Sequence, residues 1–363
     1  MAGVLSDRRY AAAVRDDRLA ERDLGTTGVR VTEMGLGCGP LVGFAGCPVD
    51  DDTAHATLST AWDAGVRYFD TAPWYGLGMS EHRVGRFLRS KPRSSYVLST
   101  KVGRLVSRPA KPASFRPTAF WANALPFEWR FDYRRDAVLR SYEDSLQRLG
   151  VNRTNLVLIH DIELGAHGSA EALEARFDEL DGGGGFGALE ELRASGSIDA
   201  IGIGLNQAEA VRPFLERFDV DVVLLAGCYT LLESSALEEA LPTCAERGIS
   251  VVAGGVFNSG ILATGIVPDA TFDYRVASPE IVERVRRLIE VCKRHGVELG
   301  AAALRFPLAH DAVVAVIPGA ATPGEVRENA AHLAQAIPDE FWVDLQREAL
   351  LPLDVPVPIG RVA

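Results

Sequence analysis

The chain has 363 residues, of which 47% are hydrophobic and 24% charged, with a formal net charge of −11. This balance supports a large buried core, and it argues against nucleic acid or an anionic membrane surface as the main partner, because both require a basic face. No apolar run approaches the length of a membrane span and no signal-like segment opens the chain, so a soluble protein without a membrane partner is expected.

The five cysteines, Cys38, Cys47, Cys228, Cys244 and Cys292, are scattered without a CxxC pair. That pattern is neither a disulfide framework nor a metal cluster, and it fits a reducing cytoplasm. His55, His82, His167, His295, His310 and His332 fall on helices or loops without ligand spacing, so no metal is expected. Nothing in the sequence sets an oligomeric state.

Residues 1–20 hold Arg8, Arg9, Arg15, Asp16, Asp17 and Arg18 around an alanine run and read as a tail, a short helix or disordered. Glu21 to Val31, with Gly25 and Gly28 as turn residues, reads as a β-hairpin. From there strands and helices alternate. Thr32–Gly37 precedes a helix over Asp52–Ala64, Val66–Asp70 precedes Ser80–Leu88, and Tyr96–Lys101 leads to Arg135–Leu149. In that last helix Val138, Leu139, Tyr142, Leu146 and Leu149 form one apolar stripe facing a sheet.

The alternation continues with Leu156–His160 and Ala188–Ala194, Ala200–Leu205 and Ala208–Phe218, then Val222–Leu225 and Ser235–Arg247. It ends with Ile249–Ala253 and Pro279–His295, and with Val313–Ile317 and Pro323–Gln335. Eight strand–helix units without a linker or composition shift favour one α/β (β/α)8 TIM barrel over residues 21–351, rather than a doubly wound sheet, with 352–363 as a C-terminal tail.

Two long segments interrupt the pattern, Arg104–Tyr133 after the third strand and Gly254–Ser278 after the seventh. Both follow the C-terminal end of a strand, the face on which such barrels carry their sites. The first is rich in aromatic residues (Phe115, Phe120, Trp121, Phe127, Trp129, Phe131) and reads either as a loop packing its own rings or as a lid lining a pocket. Gly182, Gly184 and Gly187 satisfy G-x-G-x-x-G, but a polar, helical segment precedes them instead of a strand, so they read as a flexible loop and not a dinucleotide fingerprint.

Three of the strands end on ionisable groups. Gly65-Val66-Arg67-Tyr68-Phe69-Asp70 ends on a carboxylate and presents Tyr75 five residues later, Tyr96–Thr100 ends on Lys101, and Asn155–Ile159 ends on His160. An Asp, a Tyr five residues on, a Lys after the next strand and a His after the one following resemble the catalytic tetrad of the aldo-keto reductase superfamily. The resemblance runs from about Glu21 to Leu351 and includes Asp23–Val31 and Ile317-Pro318-Gly319. His160-Asp161, Gly202-Ile203-Gly204-Leu205-Asn206 and Tyr229–Glu233 are similar to the branch that dehydrogenates L-fucose, L-galactose and related threo-aldoses.

The resemblance implies hydride transfer with Tyr75 as acid/base, Lys101 lowering its pKa, Asp70 holding the lysine and His160 orienting the substrate oxygen. An ammonium at ~4 Å in an effective dielectric of ~20 is worth about 4 kcal/mol, enough to bring a phenol from about 10 toward neutrality. Trp74, Trp121 and Asp161 are the candidate substrate contacts. For the cofactor, Asn206 matches the family's carboxamide-binding asparagine, and Pro318, Gly319, Ala320, Glu325, Glu328 and Asn329 match the region that grips the adenosine phosphate.

Gly319 and Glu325 stand where NADP-using relatives carry lysine and arginine, which points to NAD, although Arg327 leaves NADP open. The family's nicotinamide-holding glutamine and stacking tyrosine appear as Ala226 and Gly254, with Tyr229 as a substitute ring. The expected activity is oxidation of C1 of an aldose such as L-fucose, L-galactose or D-arabinose to its lactone. The alternatives are pyridoxal 4-dehydrogenation, NADPH-dependent aldehyde reduction, and a cofactor-sensing module without turnover.

Overall fold

Residues 19–44 and 46–360 are described in a computed structural model of the chain. Most of the N-terminal tail, 1–18, and the last three residues, 361–363, lie outside them. Eight parallel strands, β1 (Leu36–Gly37), β2 (Tyr68–Asp70), β3 (Val97–Val102), β4 (Leu156–His160), β5 (Ala200–Leu205), β6 (Val222–Ala226), β7 (Ser250–Gly254) and β8 (Val313–Ile317), pair in sequence order. The sheet closes on itself. Gly35 N donates to Val316 O at 2.9 Å, Val316 N to Glu33 O at 2.8 Å, and Gly37 N to Pro318 O at 3.1 Å. Helices α1 (Asp51–Asp63), α2 (Met79–Leu88), α3 (Arg135–Leu149), α4 (Gly185–Ala194), α5 (Val211–Leu215), α6 (Ala240–Arg247), α7 (Pro279–His295) and α8 (Pro323–Ala334) cross between the strands, giving a (β/α)8 barrel.

The strand period of two sorts the core into an inner and an outer layer. Leu156 and Leu158 of β4, Val222 and Leu224 of β6, and Val252 of β7 fill the barrel interior, while Val157, Ile159, Val223 and Leu225 pack outward against the helices. The helix ends follow the sequence. On α7 Ser278 accepts from Ile281 N, Pro279 opens the first turn, Lys293, Arg294 and His295 close the last, and Gly296 (φ +65°) ends it.

Below the barrel Glu21–Asp23 pairs antiparallel with Arg30–Thr32, and Leu24, Val29 and Val31 of this hairpin join the inner core as a plug. The expected strand Thr32–Gly37 is thereby divided. Thr32 belongs to the hairpin, its hydroxyl donates to Met34 O at 2.8 Å, and only Leu36–Gly37 enters the barrel. The Gly182–Gly187 stretch, expected as a flexible loop, is a tight link between helix Ala170–Leu180 and α4. A Cβ on Gly185 would lie 1.8 Å from Tyr133 O, so glycine serves close packing there.

Each long insertion contains a hairpin. In the first, Arg104–Ser107 and Glu128–Phe131 form an antiparallel hairpin, and its tip is tied down by Ala122 N to Gly43 O (3.0 Å) and Leu125 N to Gly76 O (2.9 Å). The second carries a small hairpin, Thr271–Phe272 with Arg275–Val276, whose turn residues Asp273 (φ +49°) and Tyr274 (φ +58°) are both left-handed. That is the type I′ geometry glycine and asparagine favour. Among the described residues no helix is long and apolar enough to cross a membrane.

Candidate active site

Because side chains alternate along a strand, residues 68 and 70 of β2, 99 and 101 of β3, and 156, 158 and 160 of β4 share the inner face of the barrel. Their apolar members fill the interior, and the polar residues that end the series sit at the mouth. Lys101 Nζ donates to Asp70 Oδ2 at 2.6 Å and to Thr71 O at 3.0 Å, and Ser99 Oγ donates to Asp70 Oδ1 at 2.7 Å. The pair is almost fully buried, each residue being 1% exposed. On β5, across the interior, stands Gly204, whose missing side chain faces the Lys101 stem; an added Cβ would meet Lys101 Cε at 3.4 Å, an ordinary contact distance.

The ammonium lies 5.0 Å from the centroid of the Tyr75 ring, and that ring meets His160 edge-on with centroids 5.9 Å apart. The four candidate residues from three strands and one loop thus converge on one spot. Their electrostatics differ from the sequence-based expectation. Burial, then the Asp70 and Asp161 carboxylates, hold the Tyr75 phenol well above its ordinary value. The lysine charge is matched by Asp70 at 2.6 Å, so it leaves little net field to pull the phenol down.

Burial pushes the His160 imidazole down to about 3. It is therefore neutral at working pH, and its Nδ1 has no hydrogen-bond partner among the described residues. This has a sign-definite consequence for stability: in the unfolded chain the imidazole gains a proton below its ordinary 6.5, but in the fold it stays neutral until about 3. Stability should fall as pH drops through that window, and acid-titration denaturation of His160→Asn should show a flatter limb there.

Asp161 stands in the left-handed region (φ +54°), a strained setting for a non-glycine residue. Its Oδ2 accepts from Arg104 Nε at 2.6 Å, and its Oδ1 accepts from Asn206 Nδ2 at 3.2 Å and lies 3.6 Å from His160 Nε2. Burial works upward on this carboxyl but is outweighed by His160 and Arg104, leaving it below the usual carboxylate range. The Arg104 guanidinium is boxed by Trp74, Trp129 and Phe131, each ring centroid 4.5 Å away.

Above the mouth stands an aromatic wall. Trp121 contacts Tyr75 (5.7 Å between centroids), Trp74 (6.1 Å), Phe120 (4.8 Å) and Phe44 (5.3 Å), and the Tyr274 ring approaches Phe44 (6.3 Å) and Phe120 (6.2 Å). Four separate connections, after β1, β2, β3 and β7, contribute to it.

Asn206, just beyond β5, is exposed at the same mouth. The other predicted cofactor residues form a second group after β8. Gly319 pairs with Gly37, and a Cβ on it would fall 2.5 Å from Pro40 Cγ; Ala320 is fully buried. The start of α8 is tied down at both sides of its N-cap: Thr322 Oγ1 accepts from Glu325 N at 3.3 Å, and Glu325 Oε2 accepts from Ala321 N, one residue earlier, at 2.8 Å. Arg327 and Glu328 are exposed and Asn329 is buried.

Tyr229 does not offer a ring to the mouth. It is buried against Phe306 (4.9 Å) and His310 (6.0 Å) in the layer between sheet and helices. Sequence reasoning missed Arg104, Phe44, Tyr274 and above all Glu163, a buried carboxylate bonded to Asn206. The one available signal for Glu163 was a carboxylate three residues after the end of an apolar strand.

The Aldo/keto reductase family profile matches residues 33–347. A pyridoxal 4-dehydrogenase from Microbacterium luteolum is 44% identical over 338 residues, spanning 91% of this chain and 98% of its own. A D-threo-aldose 1-dehydrogenase from Pseudomonas sp is 38% identical, spanning 90% of this chain and 96% of its own. Among solved structures, the holo form of an aldo-keto reductase from Bacillus halodurans superposes with a TM-score of 0.72 at 25% identity, covering 93% of this chain and 98% of that one. With its barrel and mouth as described, the chain belongs to the Aldo/keto reductase family, oxidoreductases that work with a nicotinamide cofactor.

Proposed function

We propose that the protein oxidises the ring carbon of a cyclic hemiacetal to a lactone, with NAD as the preferred cofactor, in the cytoplasm. Aldoses of the L-fucose, L-galactose and D-arabinose type carry that group at C1, and pyridoxal carries it when its aldehyde closes on its own hydroxymethyl group. The observation that carries the reading is the buried Lys101–Asp70 pair beneath the Tyr75 ring, with His160 facing the same spot.

A bound oxidised nicotinamide supplies the hydride acceptor. The chain's own residues handle the proton and the substrate oxygen. Tyr75, once ionised, is placed to take the hemiacetal hydroxyl proton, and neutral His160 can hydrogen-bond the same oxygen without adding a charge. Because the resting phenol is protonated, it is ready to donate in the reductive direction; oxidation requires it ionised, and with its pKa held well above the ordinary 10 the oxidation rate should go on climbing with pH beyond 10 instead of levelling off near neutrality. Trp74, Trp121 and the rest of the wall present apolar faces to the substrate ring.

The mouth fits the cofactor. Asn206 turns its amide nitrogen inward toward two carboxylates, at 2.9 and 3.2 Å, so its oxygen faces out as an acceptor for a carboxamide N–H. NAD over NADP is favoured by two features after β8. A Cβ at 319 would meet Pro40, which disfavours a lysine there, and the Glu325 carboxylate in the first turn of α8 would repel a further phosphate.

Pyridoxal is a second reading within the class, favoured by the flat rings of Phe44, Phe120, Trp121 and Tyr274 and by the 44% identical relative. Initial rates of reduced-nicotinamide formation with pyridoxal, L-fucose, L-galactose and D-arabinose, each with NAD and with NADP, decide between them. Turnover with one of these and NAD is the expected result; silence across the panel, with reduction of simple aldehydes by NADPH instead, would overturn the proposal. Tight cofactor binding without any turnover would point to a sensing module.

A further inference from the structure

Glu163 follows the last residue of β4 by three positions and is 3% exposed. Its Oε2 accepts from the backbone N–H groups of Asn206 (2.7 Å) and Gln207 (2.9 Å), and its Oε1 accepts from Asn206 Nδ2 (2.9 Å). Among the described residues no cation pairs with it. Burial pushes its carboxyl up to about 7, so the group is held there at a cost that its hydrogen bonds only partly offset.

Asn206 is a primary amide, and a free one can present either its oxygen or its NH2 group to a ligand. Here the choice is forced. Above about pH 7, where Glu163 is ionised, both carboxylates only accept, so Glu163 Oε1 and Asp161 Oδ1 between them engage the amide nitrogen and leave the oxygen facing outward. Asp161 alone is a weak guide, since its contact is 3.2 Å and its other oxygen is taken by Arg104. Glu163, which also fixes the Asn206 backbone, sets both the place and the polarity of that acceptor.

We propose that Glu163 is the positioning residue that orients the Asn206 amide for a carboxamide-bearing ligand ring, and so discriminates the nicotinamide end of the cofactor from the rest of it. The inference rests on the cofactor reading above, and the test separates the two. NAD and ADP-ribose, which lacks the nicotinamide, are titrated by calorimetry into wild-type protein and into Glu163→Gln. The glutamine keeps the shape but must turn an N–H toward one of three donors.

Wild type should bind NAD more tightly than ADP-ribose. In Glu163→Gln the Kd for NAD should rise about tenfold or more, as for loss of a charge-assisted hydrogen bond, with ADP-ribose within about twofold of wild type. KM for NAD should rise with it, while kcat at saturating NAD changes little. Equal weakening of both ligands would reduce Glu163 to a structural residue, and an unchanged Kd for NAD would also overturn the proposal. Wild type that binds neither ligand would defeat the cofactor reading beneath it. If Glu163→Gln does not fold, Glu163→Asp, which keeps the charge and withdraws it by one methylene, should show the same selective loss in smaller measure.

Discussion

Tyr75→Phe should lower kcat by about 10² to 10⁴ while leaving fold stability and NAD affinity near wild type. The substitution removes one oxygen and keeps the ring, whose contacts to Trp121 and His160 and to the Gly39 backbone region are made by carbon edges and faces. The packing should therefore survive. What disappears is the one phenol among the described residues whose ring lies beside both Lys101 and His160, and with it the group proposed to take the proton. Stopped-flow and steady-state rates on the preferred substrate, together with a thermal melt and a cofactor titration, check all three parts. Retention of most of the turnover would sink the acid/base role of Tyr75.

Lys101→Met should be costly in a different currency, stability. Asp70 would keep Ser99 but lose the ammonium at 2.6 Å, leaving a carboxylate buried at 1% exposure without its counter-charge. Breaking a buried pair from one side typically costs about 3–5 kcal/mol. Replacing both partners, as in Lys101→Met with Asp70→Asn, should restore much of that loss because no uncompensated charge remains, yet activity should stay abolished. Urea denaturation of the two variants beside wild type measures the first effect, and turnover the second. A double variant no more stable than the single would mean that the ion pair is not what the barrel mouth depends on.

Much of this arrangement was legible in the sequence, for reasons that can be named. Helices α3 and α7 carry an apolar stripe and local start and stop signals, and both have the bounds the sequence predicts. The strands that carry Asp70, Lys101 and His160 at or beside their C-terminal ends are short and largely buried, and parallel strands with period two bring their inward ends together once the barrel closes. What failed depended on partners far along the chain. Thr32 was assigned to the barrel because pairing with Glu21 cannot be read from residues 30–37 alone.

The hairpin in the first insertion joins Arg104–Ser107 to Glu128–Phe131 across a long tip, and local periodicity does not report such a pairing. Tyr229 was credited with a ring at the mouth, but its direction is set by Phe306 and His310, more than seventy residues away. The Tyr75 phenol was expected to be lowered by Lys101; the sequence named that partner but not the burial, nor the fact that Asp70 cancels the lysine's charge. Glu163 was passed over because what it binds is backbone N–H groups more than forty residues on, at the end of β5.

The left-handed Asp273-Tyr274 turn sets a conflict between durability and use. Asparagine and glycine would relax the backbone at those two positions, a gain of the order of 1 kcal/mol per relieved residue. A lineage or a laboratory selection judged by heat resistance alone would drift toward that pair. The exposed Tyr274 ring, which stands against Phe44 and Phe120, would vanish with the change, and the aromatic wall would lose the member supplied by the loop after β7. An Asn-Gly turn at 273–274 should therefore raise the melting temperature while stripping one ring from the mouth.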